Sequence, residues 1–151
     1  MEYLNKQVHH CIWANEIWIE FLSDEGSNDQ YLAKMMSHIL LSEQAWFQRI
    51  FGQEIGQNIW QILPSEQLTD LQEEHRKIYY QLLEQDIDRV ISFQRFSGDS
   101  GSSSIGDILL HLCTHGQHHR GQMSEYTSKR EMDIADTDYI SYSIHTEMNN
   151  I

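Results

Sequence analysis

The chain carries nine histidines, and four of them fall between residues 111 and 119, in the stretch DILLHLCTHGQHHRGQMSEY (107–126). Imidazole is the commonest metal ligand among side chains, and it changes charge near neutral pH. His115 and His119 are four residues apart. On a helix that spacing puts their Cβ atoms about 6 Å apart on one face. Each ring can then bring a nitrogen to about 2.0–2.1 Å from a shared ion. The same spacing serves HExxH zinc sites, but Gly116 stands where their glutamate would be, so the general base of a metalloprotease is missing.

Each helical residue turns about 100°. With His115 at zero, Ile105, Ile108, Leu112, Met123 and Tyr126 fall between about 20° and 80°, an apolar stripe expected to face a core. His119 falls within it at about 40°, while His111 and His118 lie off it at about −40° and −60°. The pair expected to look inward is therefore His115 and His119. Two buried imidazoles need partners, since an unpaired buried polar group costs roughly 1–3 kcal/mol. Two ligands hold a metal weakly, so a third should come from another helix. His38 borders one apolar face, in MMSHILLSEQAWFQRI, and His75 sits in the middle of another; the residues alone leave both open. His111, His118 and Gln122 are candidates for the surround of the site, and so is Asn15, a polar residue on an apolar stripe. His9 and His10 read as a solvated helix face and His145 as surface. Arg120 reads as structural, and Gly121 as a point of close helix approach.

Long amphipathic helices are needed to hold such a cluster. Leu4, Val8, Cys11, Asn15, Trp18 and Leu22 recur at helical spacing, which predicts a helix over 2–22. Turn chemistry follows at 23–28. A second helix is expected from about Asp29 to Phe51, stopped by Gly52, and a third from Ser65, a plausible N-cap, to about Gln85. Residues 89–96 alternate like a short strand, and GDSGSSS reads as a flexible loop. Ser104 with Asp107 forms a capping box for a fourth helix to about Lys129. A short helix over 138–147 closes the chain. The expectation is one all-α domain over 1–151, a four-helix bundle with a short C-terminal helix.

The net charge of −13 and the lack of a basic stripe disfavour nucleic acid and anionic membranes as partners. No leader and no stretch of 18 apolar residues is seen. Two cysteines without a CxxC fit a reducing, cytoplasmic setting.

HGQHHRGQ at 115–122, preceded by ILLHL and followed by Tyr126, resembles the signature of the DinB/YfiT-like family. WAN at 13–15, His38 in HILLSEQAWFQRI and TDYI at 137–140 are similar to other parts of its pattern, in the same order. The resemblance implies an up-up-down-down bundle, often a homodimer, with zinc or nickel on His38, His115 and His119. It also implies a metal-dependent S-transferase using a low-molecular-weight thiol on a small-molecule substrate. A metal-dependent hydrolase and a non-catalytic metal- or ligand-binding stress protein are the alternatives. No residue is assigned as catalytic.

Overall fold

The computed structural model describes residues 2–24 and 28–148; the turn expected at 23–28 lies partly outside them. The elements are α1 (Glu2–Ser23), α2 (Gln30–Ile50), α3 (Ser65–Leu83), β1 (Val90–Gln94), β2 (Ser100–Ser104), α4 (Ile105–Ser128) and α5 (Tyr139–Met148). The expected helices are all present. The Asp29 carboxylate accepts from the Leu32 amide and starts α2, and Ser104 accepts from the Asp107 amide to start α4. Gly52, at φ +67°, turns the chain out of α2. Ser65 does not cap α3: Pro64 holds the cap position, and it makes no side-chain capping hydrogen bond.

The serine-rich segment is a strand, not a flexible loop. β1 and β2 pair antiparallel, from Val90 with Ser104 to Gln94 with Ser100. Backbone pairing supplies this ladder, so its serines need no apolar alternation to form it.

The four long helices form a ring in the order α1–α3–α2–α4. Cross-helix pairs fix their directions. His111 meets Trp46 and Tyr126 meets Tyr31, so α4 runs opposite to α2. Glu43 meets His75 and Phe47 meets Tyr79, so α2 and α3 run the same way. His9 meets Tyr80 and Glu16 meets Arg76, so α1 opposes α3. The path is up-down-down-up, which corrects the up-up-down-down expectation. Connection length is the physical reason. Six residues between α1 and α2 reach at most about 20 Å, whereas returning along the 22-residue α1 takes about 33 Å. Residues 51–64 make the long crossover instead. The hairpin makes none, because the Ile87 and Arg89 carbonyls accept from the Gly106 and Ile105 amides and keep α3 and α4 end to end.

The interior has three levels. Val8, Cys11, Ile12, Phe47, Tyr79, Leu82, Leu109 and Leu112 belong to one apolar cluster. Trp18, Leu22, Leu32, Met36, Ile39, Leu68 and Met123 belong to another. Burial of each large side chain contributes about 1.5–3 kcal/mol. Between them lies a buried polar layer. Glu43 accepts from Asn15 Nδ2 at 3.1 Å and pairs with His75 Nδ1 at 2.8 Å. Arg120 donates to Asn15 Oδ1 at 2.6 Å.

The structure departs from expectation in three places, and this layer explains the first two. The buried residues of α4 centre about 100° from His115, not near 50°, because Leu109, Cys113, Gly116 and Arg120 all face inward. The close-approach glycine is Gly116, where an added Cβ would stand 2.8 Å from Arg120 and 3.6 Å from Cys11 Sγ; Gly121 has nothing within 4 Å. His10 is buried, not solvated: its Nε2–H donates to the Thr137 carbonyl at 2.8 Å, and its ring packs against Tyr139 and Tyr142. Among the described residues, no helix is long and apolar enough to cross a membrane.

Candidate metal centre

His38 on α2 and His115 and His119 on α4 converge where the two antiparallel helices cross, at the level of the polar layer. One ring nitrogen of each lies within 4.8 Å of the others, with His38 buried and the other two half-buried. His115 and His119 come together because of their i, i+4 spacing. His38 reaches them because the register of α2 on α4 sets it opposite their turn. Among the described residues this is the one group of three or more His, Cys, Asp or Glu with converging ligand atoms.

The orientation of the rings suits a cation. His38 Nδ1–H donates to the Ile59 carbonyl at 3.0 Å, and His119 Nδ1–H donates to Gln122 Oε1 at 2.8 Å. Each bond fixes a tautomer and leaves Nε2 with its lone pair directed inward. His115 Nε2 and His119 Nε2 are 3.2 Å apart. Two nitrogens about 2.05 Å from one tetrahedral ion would be about 3.3 Å apart, so the spacing fits a shared metal. Burial, followed by the charges of His119 and His38, pushes the His115 pKa down to about 3. Burial also lowers that of His38. Both are thus neutral at neutral pH, the form that binds metal.

Of the other candidates, Gln122 bridges two rings: its oxygen accepts from His119, and its Nε2 lies 3.4 Å from His118 Nε2. His118 is exposed beside His119. His111 stands between Trp46 and His115, with ring centroids 5.6 and 5.8 Å away. Burial and then the charge of Arg95 lower its pKa. Asn15 and His75 are not brought to the three histidines. Both are buried in the polar layer, bonded to Glu43, because the core faces of α1 and α3 meet α2 on the side of Glu43. Cys11 likewise faces Arg120 and Glu43.

The structure adds residues that spacing alone did not find. The crossover segment passes back along α2 and stacks Trp60 on His38, with centroids 3.6 Å apart and planes 5° from parallel. The Leu63 amide donates to Ser37 Oγ and pins the segment there. A tryptophan in an irregular stretch just ahead of a lone proline was the available signal. Beside the histidines opens a cleft of about 220 Å³, lined by His38, Ser42, Trp46, Arg49, Arg95 and His111 among others.

Comparison with curated proteins finds no match. The model of the DinB family matches residues 4–141, nearly the whole chain and all three converging histidines. The chain belongs to the DinB family.

Proposed function

We propose that this chain is a metal-dependent enzyme in which His38, His115 and His119 hold zinc or nickel and a low-molecular-weight thiol is transferred to a small electrophile. The observation that carries this reading is the convergence of three imidazole nitrogens within 4.8 Å beside an open cleft. Three protein ligands leave a coordination position for a substrate, the pattern of catalytic sites. When bound, a divalent ion supplies the Lewis acidity that lowers the pKa of a thiol or of water. The chain's own residues do the rest. Ile59 and Gln122 hold two of the imidazoles in one tautomer, Trp60 covers His38 from solvent, and the cleft admits a small molecule beside them.

Hydrolysis is the second reading, and His111 favours it. Its ring lies in the cleft next to His115, and its lowered pKa keeps it a proton acceptor at neutral pH. In either case we place the chain in the cytoplasm, where its two free cysteines stay reduced, and as a homodimer, which sedimentation would test.

The test is metal content by mass spectrometry on protein without a histidine tag. Wild type should carry about one zinc or nickel per chain, and His119→Ala should lose it. Wild-type protein that arrives empty and refuses added zinc would end both catalytic readings. Loaded protein is then screened for thiol consumption against a panel of electrophiles, beside an ester and amide panel for hydrolysis.

A further inference from the structure

The cleft beside the three histidines has a second chemical character. Along α2, His38, Ser42, Trp46 and Arg49 recur at helical spacing and all line it. The hairpin turn supplies Arg95 and Phe96 from the other side. Among the described residues no carboxylate lines this cleft, although the chain has 23 acidic residues against 10 basic ones. Among the described residues, neither Arg49 nor Arg95 forms an ion pair.

Arg49 is held in place rather than free in solvent. Its guanidinium carbon sits 4.7 Å from the Trp46 ring and 4.8 Å from the Phe96 ring. Its Nε donates to the Gln94 carbonyl at 3.3 Å. The two terminal nitrogens keep their donors for a planar acceptor, the geometry in which arginine binds carboxylates. Burial disfavours its charged form, and an anion would offset that cost. One turn beyond His38, Ser42 Oγ is buried with no hydrogen-bond partner. A buried hydroxyl without a partner is unfavourable, and a polar ligand group in the cleft would relieve it.

We propose that the cleft selects a small molecule bearing a carboxylate, gripped by Arg49 and Arg95 at the hairpin end while its other end reaches the three histidines. This rests on the metal-centre reading and adds the substrate class. The cleft, at about 220 Å³, is below the roughly 300–1,000 Å³ of sites for drug-sized ligands. It therefore suits a compact acid.

The test uses protein loaded with cobalt and two thiols of equal length, 3-mercaptopropionate and 3-mercapto-1-propanol. Binding is read from the thiolate-to-cobalt charge-transfer absorbance. Wild type should bind the acid at least about tenfold more tightly than the alcohol, as a charge-assisted pair implies. The Arg49→Met, Arg95→Met double variant should lose that preference and keep both its cobalt and its affinity for the alcohol. Methionine preserves the apolar stem against Trp46 and Phe96. Equal affinities in wild type, no thiol binding to cobalt-loaded protein, or a preference that survives in the double variant would each overturn the proposal. Protein that takes no cobalt would overturn the metal reading itself, and this proposal with it.

Discussion

Trp60 lies flat on the His38 ring at 3.6 Å, while the carbonyl of the preceding residue, Ile59, accepts from the same ring's Nδ1 at 3.0 Å. Two adjacent residues of an irregular segment therefore fix both the plane and the tautomer of the one histidine that α2 contributes to the cluster. Trp60 is itself 47% exposed, so its stack is a cover and not a core contact. Trp60→Ala should lower zinc affinity by about tenfold, in the range found when partners of ligand histidines are lost. Trp60→Phe should restore most of it. Chelator competition measures both, and an unchanged affinity in Trp60→Ala would show that the Ile59 bond alone orients His38.

Gln122 has the corresponding role on α4. Its oxygen takes the His119 Nδ1 proton at 2.8 Å. Gln122→Leu keeps the side-chain volume and removes the acceptor, so zinc affinity should fall about 10–100-fold. Gln122 is exposed, so thermal unfolding of the metal-free variant should match wild type, since exposed changes of this kind cost about 0.5 kcal/mol or less. A variant that loses stability and zinc together would instead give Gln122 a structural role.

The converging pair His115 and His119 was legible in the sequence because i, i+4 spacing is a local property of a helix. The third histidine of the cluster needed the register of α2 on α4, which is tertiary, and only family resemblance chose His38 over His75. The polar layer was legible only in part: Asn15 and His75 fall on apolar stripes, but Arg120, off the α4 stripe, reads as outward-facing. It is 1% exposed because its guanidinium donates to Asn15 Oδ1, itself fully buried. Omitting Arg120 and Gly116 from the core face rotated the stripe. Helix direction was misread although the six-residue connection after α1 already excluded a parallel neighbour. Ile59 and Trp60 come from an irregular segment, where no period marks a side chain's direction, and Arg95 lies just past β1, in the hairpin turn, where the alternation expected over 89–96 no longer holds.

His10 gives the metal-free protein an acid-sensitive seam between α1 and the tail. Burial is the main cause that lowers its pKa, against the opposing bond to the Thr137 carbonyl. Above about pH 6.5, the ordinary histidine value, neither folded nor unfolded chain binds this proton. Below it, the unfolded chain takes up a proton that the folded chain resists, so stability must fall as the pH falls. The urea midpoint of metal-free protein should therefore drop between pH 7.5 and pH 5.5. His10→Gln, which can still donate to Thr137, should show a shallower drop. A midpoint that rises on acidification would contradict the sign, and equal slopes would move the effect to other histidines.

Gly116 and Gly121, five residues apart on α4, should respond in opposite directions to the same substitution. Alanine in place of glycine inside a helix gains about 1 kcal/mol from reduced unfolded-state freedom. At Gly121 nothing lies within 4 Å of the new methyl, so Gly121→Ala should be stabilised by about that amount. At Gly116 the methyl would stand 2.8 Å from the Arg120 guanidinium, whose side chain is fully buried and tied to Asn15. Arg120 would have to move and weaken that bond. Overpacking costs typically 1–3 kcal/mol, and disturbing a buried charge adds to it. Gly116→Ala should therefore be destabilised by about 1–2 kcal/mol net of the helix gain. Urea unfolding of the two metal-free variants decides the matter. Stabilisation of both would mean that Arg120 relaxes freely, and that the polar layer is softer than its hydrogen bonds imply.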